Sequence, residues 1–512
     1  MNIRKTAILL LLPVFLLSGC ARELPEEEEG LGLEIDASSA ASSEPEVPLP
    51  VSFALPYNQD AALDPITCPD GIQQTLGTLL YEGLFELDQQ LEPQNKLCSS
   101  ASYDAEAMTW TLQLRSGVTF SDGSPLTAGD VAATLNRART SQRYQTRLSS
   151  ISSVRASNDM VVITLNKANT DLPALLDIPI VKSGTESDAV PLGTGPYILV
   201  TEGGSASLAA NTSWWGGSVQ PISRIELVDC TTTDAVRYQF TSHAVQLITA
   251  DLTGVSSMSA AGNFAFQDAD TTVLQYVGFH TNHALLSDPA VRRAIGLGID
   301  REAVVNAYLS GHAEAAQFPV SPVCVLYPQE LESTYSYAAF ESAMTEAGLN
   351  SGTTHSLTLL VNSENSFKVS IAKYLASALS AFDLEISVNA LPWEEYQAAL
   401  AAGNFDLYYG ETRLTADWDL TQLVGTGGSL NFGNYTDPVL DDLLANYGAA
   451  EDRAASMRSV CAYLSNQTPI LPVCFKRTSV LTQADVLGNL SPTASNPFYG
   501  LENLIIHLKD GG

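Results

Sequence analysis

Trp110-Thr-Leu-Gln-Leu-Arg115-Ser-Gly117-Val-Thr-Phe120-Ser-Asp122-Gly123-Ser-Pro-Leu126-Thr127-Ala-Gly-Asp130-Val131 holds two adjacent signals of opposite period. Met108–Leu114 alternates, with Trp110, Leu112 and Leu114 on one face, as a half-buried strand requires. Thr127-Ala-Gly-Asp130 then fits a capping box, in which the threonine hydroxyl and the acid satisfy each other's free backbone N–H groups. Val131, Leu135 and Ala138 continue as the buried stripe of a helix. Downstream, Val154–Leu165 reads as a hairpin turning at Asn158-Asp159. The first third of the body is therefore strands with short helices.

The last third has another rhythm. Ser356–Asn362 reads as a strand, Phe367–Phe382 as an amphipathic helix and Leu384–Ala390 as a strand. Trp393–Ala402 follows as a helix and Phe405–Tyr409 as a strand. This alternation implies parallel strands joined by right-handed crossovers. Asp288-Pro289 starts one helix with a cap and a first-turn proline. Asp300 caps a second, ending near Gly311. Nothing repeats at a fixed period. The expectation is an α/β protein with at least two lobes of different texture.

The N-terminus has its own grammar. Arg4 and Lys5 precede an apolar run from Ala7 to Leu17, too short to span a bilayer. Leu17-Ser18-Gly19-Cys20 follows. Residues 1–20 look like a lipoprotein signal peptide, with Cys20 as the lipidation site and stable anchoring needing more than one acyl chain. Residues 21–50 carry Glu26-Glu27-Glu28-Glu29, paired serines and Pro45, Pro48 and Pro50. Such a segment cannot bury enough surface to fold and reads as a disordered tether.

From Val51 to Gly512 there is chain for more than one lobe. The formal net charge of −32 argues against nucleic acid, and against an anionic membrane surface except through a lipid anchor. Apart from Cys20 there are Cys68, Cys98, Cys230, Cys324, Cys461 and Cys474, with no CxxC and no paired zinc spacing. No enzyme signature appears. Gly203-Gly-Ser205-Ala-Ser207 lacks the last glycine of a nucleophile elbow, and Gly425-Thr-Gly427-Gly-Ser429 lacks a phosphate-binding context. His280 and His283 would not share a face on a strand leading into a loop. No metal site and no cofactor are expected.

These segments, in their order, also resemble the family 5 solute-binding proteins, the peptide/nickel group of ABC-importer receptors. Tyr81-Glu82-Gly83-Leu84-Phe85, Gly193-Thr194-Gly195-Pro196-Tyr197, Asn211 and Trp214-Trp215-Gly216-Gly217 add to the opening stretch. Val277-Gly-Phe279, Asp288-Pro-Ala-Val291-Arg292, Ile299-Asp300-Arg301-Glu302, Trp393-Glu-Glu-Tyr396 and Gly403-Asn-Phe405-Asp406 complete it. The resemblance implies a type II-like periplasmic-binding-protein fold: two lobes, a two-strand hinge and an extra subdomain inserted in the first lobe. It places lobe I at residues 51–86, 193–275 and 481–512, the subdomain at 87–192, and lobe II at 276–480. It also implies that a bridge can join Cys461 to Cys474, the alternative being buried thiols.

For the site, the resemblance points to Thr412-Arg413-Leu414-Thr415-Ala416-Asp417-Trp418-Asp419. Peptide-binding members pair an acid here with the peptide's α-ammonium, and the matching residue is Asp417. A tryptophan usual a few residues earlier is replaced near Leu414. Asp417 could instead cap a helix or pair with Arg413, and Arg413 could bind a ligand carboxylate. Trp418, Tyr408 and Tyr409 would wall the cleft or pack in the core. The expected function is a lipid-anchored, monomeric receptor on the outer face of the cytoplasmic membrane, passing oligo- or dipeptides to an ABC permease and its ATPase subunits. Alternatives on the same fold are a peptide-signal sensor or a nickel-chelate, haem or sugar receptor. An extracytoplasmic hydrolase is disfavoured.

Overall fold

The computed structural model of the chain describes residues 49–68, 71–217, 219–255 and 263–509. The leader, Cys20 and the tether up to residue 48 lie outside the described residues.

Three sheets organise the rest. The first runs in the order Ala54–Tyr57, Arg224–Asp229, Ser205–Ala210, Tyr197–Glu202, with a parallel first pair and antiparallel others. The second is the antiparallel sheet Cys98–Asp104, Thr109–Leu114, Met160–Leu165, Ile151–Ser157. It contains the strand read from the opening stretch and the hairpin read downstream of it, and Asn158 turns the hairpin with φ 55°. The helix Ala128–Ala138 starts at a capping box of Thr127 and Asp130 and buries Val131, Leu135 and Ala138 against this sheet. We call this second body the insert.

The third and largest sheet runs Leu247–Ala250, Ile470–Gln483, Phe264–Phe279, Leu407–Arg413, His355–Asn362, Leu384–Leu391. Its far edge is the parallel α/β unit expected from sequence: His355–Asn362 pairs in parallel with both Leu384–Leu391 and Leu407–Arg413. The helices Ser366–Leu379 and Trp393–Ala402 are its crossovers. Asp288 and Asp300 cap the helices Pro289–Leu297 and Arg301–Tyr308, each accepting a first-turn N–H. Apolar clusters fill both faces, with Tyr276, Tyr408 and Trp418 on one and Val277, Tyr409 and Cys474 on the other.

Two long antiparallel strands, Phe264–Phe279 and Ile470–Gln483, link the molecule. Their outer halves pair from Phe264↔Gln483 to Asp270↔Arg477, and their inner halves from Leu274↔Phe475 to Gly278↔Ile470. Between them Thr271–Val273 bulge opposite Lys476. The bulge is held by Thr271 Oγ1 donating to the Lys476 carbonyl at 2.6 Å, while Val273 N–H donates back to Thr271 Oγ1 at 3.0 Å. A bulge bends a strand pair and shifts its register, and a second, smaller shift follows between Gln275 and Tyr276.

The Cys461–Cys474 bridge needs correction: both are buried free thiols. Cys461 sits in the cluster with Trp418 and Cys474 in the one with Tyr409, on opposite faces of the large sheet. Cys474 Sγ points to Gln275 Oε1 at 3.8 Å. Burial raises both thiol pKa values, that of Cys474 to about 12.

Candidate functional site

The strand Leu407–Arg413 ends at the loop 414–421, and its alternation sorts the candidate residues. Tyr408 is buried edge-on to Tyr276, with ring centroids 5.7 Å apart. Tyr409 is buried on the other face and donates to Gln275 Oε1 at 2.8 Å. Trp418 is fully buried edge-on to Phe475. All three stand in the core.

Trp418 also has φ 55°, an uncommon backbone for a bulky side chain. The turn that imposes it closes with Trp418 N–H donating to the Thr415 carbonyl at 3.0 Å. One residue earlier, the turn presents Asp417 to the insert. Its Oδ1 accepts Thr415 Oγ1 at 2.5 Å, and its Oδ2 accepts Asn169 Nδ2 at 2.8 Å. Asp419 N–H reaches Oδ1 at 3.4 Å. Every one of these donors is neutral. Among the described residues no cation lies within ion-pair distance of this carboxylate, which is 5 % exposed. Burial therefore raises the Asp417 pKa and the Asp419 charge adds to it, against the pull of the three hydrogen bonds.

Neighbouring cations are engaged elsewhere. Arg453 pairs with Asp171 of the insert at 2.6 Å and donates to the Asp417 backbone carbonyl at 2.8 Å. Its guanidinium also contacts the Tyr447 ring and hydroxyl. Lys167 pairs with Asp419 at 2.9 Å. Arg147 pairs with Asp177. The charges of Asp417 and Arg413 both act on Arg147, so these three converge from the insert and the large sheet.

Arg413 follows Tyr409 and Glu411 on one face of its strand. Lys476 contacts Asp251 at 2.5 Å and Glu411 at 3.7 Å, and Lys368 contacts Glu411 at 3.3 Å. Three cations thus face two carboxylates. Arg413 is the one that makes no ion pair or side-chain hydrogen bond among the described residues. Surrounding protein lowers its pKa by desolvation, opposed by Glu411 and Asp251, although the residue keeps solvent access. Arg413 and Asp417 do not pair with each other.

Sequence reasoning missed Lys167, Asn169, Asp171 and Arg453. The alternation of the first three after a strand was the available signal, but nothing local says which surface they meet.

The architecture is that of the type II periplasmic binding proteins. The family model for bacterial extracellular solute-binding proteins, family 5 middle, matches residues 92–433, and the chain belongs to that family. The glutathione-binding protein GsiB of Pectobacterium atrosepticum is 24% identical over 424 residues, covering 77% of this chain and 82% of that protein. A nickel ABC transporter structure from Bacillus halodurans superposes with TM-score 0.73 at 20% identity, covering 88% of this chain and 98% of that one. The oligopeptide-binding protein AppA from Bacillus subtilis, in complex with a nonapeptide, gives 0.61 at 18% identity, covering 90% and 99%. The protein is thus an ABC-transporter substrate-binding protein. No helix among the described residues is long and apolar enough to cross a membrane.

Proposed function

We propose that this protein captures short peptides with a free N-terminus in a cleft between two lobes and delivers them to an ABC permease. The observation that carries this reading is Asp417: a buried carboxylate met only by neutral donors. Burying a charge without a counter-charge is costly, and a peptide α-ammonium would supply both the charge and the remaining hydrogen bond. Arg413 complements it as an unpaired guanidinium suited to a carboxylate. The cleft then matches a zwitterion at both ends. The names of the glutathione-binding and oligopeptide-binding relatives agree with a peptide ligand.

In this reading lobe I comprises residues 51–86, 193–275 and 481–512, the inserted subdomain 87–192, and lobe II 276–480. The strands Phe264–Phe279 and Ile470–Gln483 are the hinge, and their bulge is where it bends. The receptor role needs no catalysis and no cofactor. The Leu-Ser-Gly-Cys string supports lipidation of Cys20 and residence on the outer face of the cytoplasmic membrane, as a monomer. Cys20→Ser should release the protein from the membrane fraction, and persistence there would refute the anchor.

The ligand assignment is tested by calorimetry with di-, tri- and pentapeptides, each free and N-acetylated. Free peptides should bind and acetylated ones should lose at least about thirtyfold, the cost of leaving a buried charge unpaired. Equal binding of both forms would pass the assignment to another solute class.

A further inference from the structure

The insert meets the large-sheet body through apolar contacts of Leu87, Leu91 and Ala174, through Glu92, which Cys324 Sγ reaches at 3.4 Å, and through a polar segment, Lys167–Asp171, which follows the strand Met160–Leu165. Its alternate side chains all reach across. Lys167 Nζ bonds Asp419 Oδ2 at 2.9 Å and Thr421 Oγ1 at 3.0 Å. Asn169 Nδ2 donates to Asp417 Oδ2 at 2.8 Å. Asp171 pairs with Arg453 at 2.6 Å. The residue between them contributes as well: Thr170 N–H donates to the Gly448 carbonyl, and Thr170 Oγ1 to the Ala450 carbonyl, both at 3.0 Å.

Two features show that this junction is built. Gly448 lies within the helix Pro438–Ala449, where glycine costs helix stability. A Cβ there would stand 2.8 Å from the Ala168 carbonyl, so the glycine permits the close backbone approach. Asn169 is fixed on every side. Its carbonyl accepts Trp110 Nε1 at 2.9 Å, and its Oδ1 accepts Asp171 N–H at 2.8 Å. That leaves the amide NH2 as the only group it can offer to Asp417.

We propose that Lys167–Asp171 is the closure latch of the cleft, and that Asn169 is the positioning residue tying it to Asp417. The latch sets how long the closed form lasts, and it does so on the carboxylate assigned above to the ligand ammonium. The latch itself rests on the two-lobe reading and not on the ligand being a peptide. Asp171 and Arg453 are its core, with side chains 15 % and 17 % exposed, while Lys167 and Asp419 form its outer, more solvated bridge at 41 % and 40 %.

The Thr170 amide bonds across the junction, so its hydrogen exchange reports the latch directly, without ligand. In the full chain, Gly448→Ala should speed exchange in the peptide containing Thr170 by at least about tenfold, leaving the strand Thr109–Leu114 unchanged. The substitution favours its helix, so a folding defect is not the expected cause. Lys167→Glu should act the same way more weakly, and Lys167→Glu with Asp419→Lys should restore protection. Wild-type exchange in Gly448→Ala, or no rescue by the charge swap, would overturn the latch. If a binding peptide is in hand, Gly448→Ala should raise its dissociation rate and leave its association rate nearly unchanged. An unchanged dissociation rate would likewise overturn the latch. The exchange arm uses no ligand, so its failure is separate from a failure of the peptide assignment.

Discussion

At the scale of single residues, Asp417 and Arg413 carry opposite unmet charges, and each makes a prediction. The Asp417 pKa is raised above its ordinary 3.8. An acid with a raised folded pKa loses its charge as pH falls through that higher value, while a peptide α-amino group stays protonated. Peptide affinity should therefore begin to fall on acidification while the pH is still above 3.8, where an ordinary carboxylate would hold. Titrations between pH 7 and pH 4 check this, and a flat affinity down to pH 4 would count against it. The linkage also has a stability side. The stabilisation from a raised acid is present below its unfolded pKa and is lost as pH rises through the folded one. The stability of Asp417→Asn relative to wild type should thus shift in the variant's favour as pH rises, read from melting temperatures of the unliganded chains across that range. Arg413→Ala should weaken peptides with a free C-terminus by about tenfold or more and amidated ones little, since a charged hydrogen bond contributes about 1.5–3 kcal/mol. Making no ion pair or side-chain hydrogen bond among the described residues, Arg413 should be replaceable with little loss of stability.

At the scale of elements, legibility followed locality. The capping box at Thr127 and the hairpin at Asn158 were readable because each rests on neighbours within a few residues, and the parallel unit from His355 to Arg413 because its strands and helices alternate in period. Asp417 came from resemblance to a family motif and not from any periodicity. The bulge at Thr271–Val273 was invisible, because Thr271 acquires its role only from Lys476, far along the chain. Asp171 and Arg453 were invisible for the same reason, because each acquires its role only from the other, far along the chain. The cysteines erred in the opposite direction: the family resemblance suggested a bridge, with buried thiols as the alternative, while the large sheet puts Cys461 and Cys474 on opposite faces. The bulge gives the element-scale prediction. Thr271→Val keeps the shape but deletes the hydroxyl that donates to the Lys476 carbonyl and accepts Val273 N–H. Leaving those buried backbone groups unmet should cost about 1–3 kcal/mol in chemical denaturation. A loss well below that range would mean that the bulge does not depend on the hydroxyl.

At the scale of the molecule, the proposed reading takes the two long strands as a hinge and the Lys167–Asp171 junction as a latch, so that the protein would bind by closing. Ligand can shift the open–closed balance only through contacts it makes better in the closed form, and Asp417 offers one. Small-angle scattering should accordingly show a smaller radius of gyration with bound peptide than without. An unchanged radius with binding confirmed would separate recognition from closure. The most direct test of the central claim, that Asp417 reads the ligand's ammonium, is a calorimetric double cycle. Wild type and Asp417→Asn are each titrated with one short peptide, free and N-acetylated. The mutation alone and the acetyl group alone should each cost roughly 2–5 kcal/mol, and together little more than either, because both remove the same ion pair. Costs that simply add would contradict the claim, because Asp417 and the ammonium would then act independently.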